Sequence, residues 1–199
     1  MKYKFTGETK TLGNTTLKQI VCVTAFSNVA AGDVGGWIES EKNLSQDGNS
    51  WVFGDARVYG YAWVFGDARV YGYARVYGNA EVYGDAEVYG NAEVYGDAEV
   101  YGYAEVYGDA EVYGYARVYG NARVSGDAEC TKRAFTISTN HYHVTITDTH
   151  IAIGCQNHPI VVWKNAGFDE VKEMDGEESA KTWVKYKDFI LALEAERNE

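Results

Sequence analysis

A six-residue unit, Ala-Glu-Val-Tyr-Gly-Asp with variations, runs without a gap through the middle of this 199-residue chain. Val recurs at every sixth position from Val52 to Val124, Gly from Gly54 to Gly126 and Ala from Ala56 to Ala128, thirteen hexads in all. A fixed short period specifies stacked repeats. Within each unit Ala and Val lie two residues apart, so they point to one face of a strand. The residues flanking Val, such as Glu81 and Tyr83, point to the other. Gly supplies freedom at a corner, and the Asp or Asn after it tolerates left-handed backbone. Each hexad then reads as a short strand plus a turn, with small Ala beside Val filling a narrow interior. The period alone does not set the number of hexads per coil. If three close a triangular coil, the rod is about 20 Å long at the ~4.8 Å spacing of paired strands.

The flanks differ in composition. Residues 1–50 form a first unit, in which residues 2–12 and 17–26 are rich in β-branched and aromatic residues. Gly13-Asn14 between them reads as a hairpin turn. This unit is expected to cap the solenoid, whose bare end would expose apolar interior and unpaired edge. Residues 51–129 are the repeat. Residues 130–199 form a small α+β unit. Residues 134–138, 142–147 and 150–153 alternate like short strands, and Ile160-Val-Val-Trp163 reads as a fourth. Asp175 is a candidate helix cap before Glu177 and Glu178. Ala180, Trp183, Val184, Lys187, Ile190 and Leu191 then recur at helical spacing, predicting a helix over residues 177–196. A short turn of helix is expected over residues 168–174.

The hexads resemble the hexapeptide-repeat family, whose members form left-handed triangular β-helices. The resemblance implies a mainly β fold: a left-handed parallel β-helix with three hexads per coil. That hand opposes the usual right-handed crossover and rests on the resemblance alone. Leu17-Lys-Gln-Ile-Val-Cys-Val-Thr-Ala-Phe26, Gly35-Gly-Trp-Ile38 and Leu44-Ser-Gln-Asp-Gly48 resemble the N-terminal part of bacterial and phage hexapeptide proteins of an acetyltransferase-like type. Ile153-Gly-Cys-Gln-Asn-His158 resembles a small domain that follows such repeats in phage proteins. These resemblances imply a phage or prophage setting and no established activity.

The formal charge of −11 disfavours direct binding to nucleic acid, because carboxylates and phosphates repel. Cys22, Cys130 and Cys155 are an odd, widely spaced set that does not read as a disulfide framework. No signal peptide and no apolar stretch of roughly 18 residues is visible. A cytoplasmic protein is the expectation, in the host cytoplasm if phage-encoded.

Enzymes of the family that the hexads resemble commonly use a histidine general base in a cleft between neighbouring solenoids of a trimer. Here His141, His143, His150 and His158 all lie outside the hexads, and no loop interrupts the repeat to build an acyl-donor site. The hexads also lack the histidines that zinc-binding relatives carry. No catalytic residue, cofactor or metal is therefore assigned. Cys155 and His158 could contribute to a zinc site, but about four ligands are needed and no second pair completes it.

The outward residue before Val is Trp51, Arg57, Trp63, Arg69 and Arg75, then Glu81, Glu87, Glu93, Glu99, Glu105 and Glu111, then Arg117 and Arg123. With Asp85, Asp97 and Asp109 at corners, residues 76–116 carry nine carboxylates and no Lys or Arg. In an 18-residue coil Glu81 stacks near Glu99, Glu87 near Glu105 and Glu93 near Glu111, giving an acidic belt on three faces. Such a belt could attract a basic partner, or merely keep a β rod soluble and averse to edge pairing. Tyr follows Val in ten hexads, among them Tyr77, Tyr83, Tyr89, Tyr95, Tyr101, Tyr107 and Tyr113. These rings form ladders that stabilise neighbouring coils, and they are candidate faces for a homo-oligomer, such as the trimer common in the family. The reading that follows is a non-catalytic, phage-type binding protein that inhibits or sequesters a host defence factor with a basic surface. The alternatives are an atypical acyltransferase and a purely structural oligomerisation scaffold.

Overall fold

The computed structural model describes residues 1–139 and 142–198, so His141 lies outside the described residues. The hexads wind into a parallel β-solenoid with three hexads per coil. Val88 pairs with Val70 and Val106, and Val94 with Val76 and Val112, at a spacing of 18 residues. Val52 to Val124 and Ala56 to Ala128 all point inward and are buried at a strict period of six. Along one face the inward line runs Ile38, Val58, Val76, Val94, Val112, Cys130, about five turns of solenoid.

Each corner turns on glycine. The hexad glycines have φ between 56° and 74°. A Cβ on Gly90 would lie 2.9 Å from the backbone N of Gly108 in the next coil, so both conformation and packing demand Gly there. The Asp and Asn that follow do not share the left-handed conformation expected of them. Among the described residues Ser27 is the non-glycine residue with positive φ. Because Gly has already turned the chain, the next residue is free to bond sideways. Asn79 donates to Asp97 at 2.9 Å and Asn91 to Asp109 at 3.0 Å, each across one coil.

The stack extends beyond the regular hexads at both ends. Ile38 sits 20 residues before Val58 and Leu44 20 before Val64, yet both hold inward places, because two extra residues between Leu44 and Val52 are looped out of register. The hairpin Tyr3–Leu12/Thr15–Cys22 turns at Gly13-Asn14 and joins this sheet through Val34–Ile38. Trp51, expected to point outward into solvent, is buried. It does leave the solenoid interior, but Tyr3 and Phe26 pack edge-on against it at 6.1 and 5.5 Å. Gly35 makes room, since a Cβ there would lie 2.7 Å from both the Trp51 ring and Ile20.

The C-terminal unit is an antiparallel sheet of Phe135–Ser138, His143–Ile146, His150–Ile153 and Gln156–Pro159. Three helices follow: α1 (Ile160–Asn165), α2 (Phe168–Asp175) and α3 (Glu177–Asn198). Ile160-Val-Val-Trp163 is thus helical and Gln156–Pro159 is the fourth strand. Pro159 at the N-cap ends the strand, and the helix aims Trp163 inward, where its Nε1 donates to the Ile151 carbonyl at 2.6 Å. Asp175 ends α2 instead of capping α3, and its carboxylate accepts from the Ser179 hydroxyl at 2.7 Å. Val184 is 57% exposed. The buried stripe of α3 passes it by, running through Ala180, Trp183, Ile190, Glu194 and Arg197. No helix among the described residues is long and apolar enough to cross a membrane.

This unit closes the last coil. Thr145 and Thr149 hydroxyls accept from the backbone N–H of Arg123 and Glu129 at 3.0 and 2.9 Å, and the Asn157 amide donates to the Ser125 carbonyl at 2.8 Å. Backbone groups that would otherwise template another strand are thereby satisfied.

Candidate interaction surface

Three parallel sheets give the rod three faces, each with two outward columns. One column holds the residue before Val and the other the residue after it. The glutamates meet in register as the 18-residue coil requires: Glu81 with Glu99, Glu87 with Glu105, and Glu93 with Glu111. Each face therefore carries two adjacent glutamates of the belt.

Stacked like charges cost energy, and the Tyr columns reduce that cost. Where the residue 16 positions on is glutamate, in the next coil and the other column of the same face, the tyrosine hydroxyl donates to it. Tyr71 reaches Glu87 at 2.8 Å, Tyr77 reaches Glu93 at 2.9 Å and Tyr83 reaches Glu99 at 3.2 Å. Tyr89 reaches Glu105 at 3.0 Å, Tyr95 reaches Glu111 at 2.9 Å and Tyr113 reaches Glu129 at 3.1 Å. Where the residue 16 on is arginine, as for Tyr101 and Tyr107, this bond is replaced by the arginine's own pairing. Arg117 bonds Glu99 at 3.0 Å and Arg123 bonds Glu105 at 3.1 Å. Arg75 likewise pairs with Glu93. Glu81 faces Phe65 instead of a tyrosine and stands exposed.

The rings stack with the coils. Tyr59, Tyr77, Tyr95 and Tyr113 form one column with centroids 4.9–5.0 Å apart. Tyr71, Tyr89 and Tyr107 form the second. Phe65, Tyr83, Tyr101 and Tyr119 form the third. Sandwiching between coils raises the phenol of Tyr83 to about 12, with the charge of Glu99 adding to the effect of burial. Tyr71, Tyr77, Tyr89 and Tyr95 are raised too, first by burial and then by the glutamate each one bonds. The phenols stay protonated donors and the glutamates accept.

The belt is thus built into the rod as well as displayed on it. Asp85, Asp97 and Asp109 stand exposed at the corners. Among the described residues, Glu93, Glu99 and Glu105 have an arginine partner, leaving Glu81, Asp85, Glu87, Asp97, Asp109 and Glu111 without an ion pair. The sequence places these carboxylates but does not reveal the Tyr–Glu bonds. Their signal is the coincidence of Tyr and Glu 16 residues apart, which has meaning only once the coil length is known.

The C-terminal histidines and cysteine are dispersed. Cys155 is exposed, with Sγ 3.7 Å from Asp175 Oδ1. His158 bonds the Gln156 side chain at 3.2 Å and lies edge-on to Trp163. His143 Nδ1 is 3.0 Å from the Ser138 hydroxyl, and buried His150 is 3.1 Å from Asp127 of the last coil. Among the described residues no group of three His, Cys, Asp or Glu is placed to hold a metal ion.

The repeat family described as YdcK Beta solenoid repeat matches residues 116–128. The Escherichia coli (strain K12) protein named Uncharacterized acetyltransferase YdcK is 44% identical to this chain over 46 residues, 23% of this chain and 14% of that protein. The matched stretch thus spans a small part of that relative.

Proposed function

We propose that this chain is a non-catalytic interaction protein whose acidic, tyrosine-laddered rod engages a basic surface on a partner protein. In the phage-type setting that the sequence resembles, the partner is a host factor, such as a defence component, which the rod inhibits or sequesters in the host cytoplasm. The observation that carries this reading is the ordered belt. Nine carboxylates circle three faces, and five of the six belt glutamates are held by tyrosine hydroxyls. Anions fixed in advance lose little side-chain freedom on binding, and a concentrated field of one sign steers an oppositely charged partner.

The test is capture of a partner from host lysate, followed by association rates at low and high salt. Replacing Glu93 and Glu111 together with Gln is expected to slow association severalfold at low salt, with the difference fading at high salt. Rates that match for both forms and ignore salt would remove the belt from the interaction. A second reading, acyl transfer, draws on the printed name of the E. coli relative. Measured binding of an acyl-donor thioester of coenzyme A would favour it over the first. The tyrosine faces are also where copies of this chain would meet, whether as the trimer of the resembling family or otherwise.

A further inference from the structure

The three faces differ in the order of their charges, and the order decides what each can pack against. Read along the rod, one face presents Arg69, Glu87, Glu105, Arg123. A second presents Arg57, Arg75, Glu93, Glu111, Glu129. The third presents Trp63, Glu81, Glu99, Arg117, Arg133.

Two copies packed face to face are related by a two-fold axis lying in the interface. An axis along the strands makes the rods antiparallel and sets each column against the same column in reverse order. An axis along the rod makes them parallel and sets the charged column against the aromatic one. In the antiparallel arrangement the Arg69 face, being the same read either way, places like charges together. The Trp63 face, two glutamates then two arginines, places every charge against its opposite. The Arg57 face has a similar asymmetry, and on both faces an arginine already pairs with a glutamate of its own chain, Arg75 with Glu93 and Arg117 with Glu99, but Arg57, Arg75, Glu93 and Glu111 are all half-buried. That sheet also runs on into the N-terminal hairpin, where Lys10 bonds Asp55 at 3.3 Å.

On the Trp63 face, Glu81, Arg117 and Arg133 are exposed and Trp63 is 42% exposed. Beside them Phe65, Tyr83, Tyr101 and Tyr119 stack flat at 4.8–5.3 Å. A groove of about 260 Å³ opens between Tyr101, Arg117, Tyr119 and Arg133, at the end of the column that a reversed copy would meet with its glutamates.

We propose that this chain self-associates as an antiparallel two-fold dimer through the Trp63 face, with Glu81 and Glu99 opposite Arg133 and Arg117 of the second copy. This deepens the self-association part of the reading above and needs no basic partner, so the two can fail separately. The four facing rungs at ~4.8 Å span about 14 Å, with Trp63 reaching past Arg133 of the second copy, an interface at the small end of the specific range, and the dimer is expected to dissociate in the micromolar range.

Sedimentation velocity on the full chain, over about a hundredfold range of concentration around that value, tests it. Wild type should pass from monomer to dimer. Glu81→Arg should weaken the dimer about tenfold, since symmetry repeats each new like-charge contact. Arg133→Glu should do the same. Because Glu81 and Arg133 are three rungs apart within one chain, about 14 Å, they cannot answer each other there. An equimolar mixture of the two variants should therefore recover association to within about twofold of wild type. Circular dichroism establishes that each variant keeps its fold, and exposed Glu81 keeps the test decisive should Arg133→Glu disturb Tyr119. A wild type that stays monomeric, a trimer, a dimer indifferent to Glu81→Arg, or a mixture that remains dissociated would each overturn the proposal.

Discussion

The rod and the C-terminal unit bury comparable side chains under opposite rules. Inside the rod every coil repeats the same Ala and Val contacts, and each residue touches its own coil and the two beside it. Stability is then nearly a sum of coil and interface terms. In the C-terminal unit each core position is filled once. Trp163 and Trp183 lie 4.9 Å apart, and Ile146 and Ile151 pack with them from the sheet. Charge is segregated by the same difference. The rod keeps every carboxylate outside, whereas α3 carries Glu194 and Arg197 into its buried stripe. A repeated interior leaves the exterior free to vary. An aperiodic interior must take polar groups wherever the chain happens to bring partners.

The largest effect should come from breaking the rod's interior rule at its centre. Val94→Asp places a carboxylate between Val76 and Val112 with no donor in reach, and every neighbouring coil has the same dry Ala and Val lining. A loss of about 5 kcal/mol or more is expected, enough to unfold the middle coils. Urea denaturation followed by far-UV circular dichroism measures it. A loss under about 2 kcal/mol would mean that the interior is wet or yielding.

A smaller and more local effect is expected where the two regions join. Arg197 is buried against the last coil. Its guanidinium pairs with Asp148, its Nε donates to the Arg133 carbonyl at 2.9 Å, and its Nη2 lies 3.8 Å from the Cys130 thiol. Burial pushes that thiol up to about 12, against the opposing pull of Arg197. Arg197→Ala leaves the Asp148 carboxylate short of its cation at a mostly buried seam, at a cost of about 2–3 kcal/mol. If the rod is quasi-one-dimensional, the damage should stay at its end. Hydrogen exchange should rise at the backbone N–H groups of Arg123, Glu129 and Thr131, which the C-terminal unit satisfies, and remain unchanged around Val88 and Val94. Exchange that rises equally along all coils would show the rod and its closure to be one cooperative body.

The same contrast governs what was legible in the sequence. The solenoid could be read because its period puts Ala and Val on one side whatever the coil length. The 18-residue register then places each belt glutamate beside another. The ends could not be read in this way. Ile38 and Leu44 belong to the same inward line, but the two-residue offset before Val52 hides them from a search for period six. Trp51 fits the outward position, and only the return of Tyr3 and Phe26 over it makes it core. In the C-terminal unit a short apolar run such as Ile160-Val-Val-Trp163 suits strand or helix equally, and Pro159 was the available signal. Val184 fits the apolar stripe of α3 by spacing. The true stripe instead follows charges whose partners, Asp148 and Lys164, arrive from other elements.

The finest test addresses how the rod's exterior supports its interior. Tyrosine donates to the glutamate 16 residues on at Tyr71, Tyr77, Tyr83, Tyr89 and Tyr95, and the series is interrupted at Phe65, which lies the same distance before Glu81. Phe65 already stacks on Tyr83 at 4.8 Å and on Trp63 at 4.0 Å, so Phe65→Tyr adds a hydroxyl without changing the ladder. The hydroxyl should find Glu81 as its counterparts find theirs. A hydrogen bond to a carboxylate at the surface is expected to add about 0.5–1 kcal/mol, with the smaller figure favoured because Glu81 stands in solvent. Thermal and urea midpoints of Phe65→Tyr, Glu81→Gln and the double variant close a cycle that isolates this pair from the change in ring hydration. A coupling near zero would mean that the Tyr–Glu bonds elsewhere merely accompany ring stacking and that the ladder alone offsets the stacked charges. A coupling of the expected size would make the tyrosines the reason a belt of adjacent carboxylates can be tolerated on a parallel sheet.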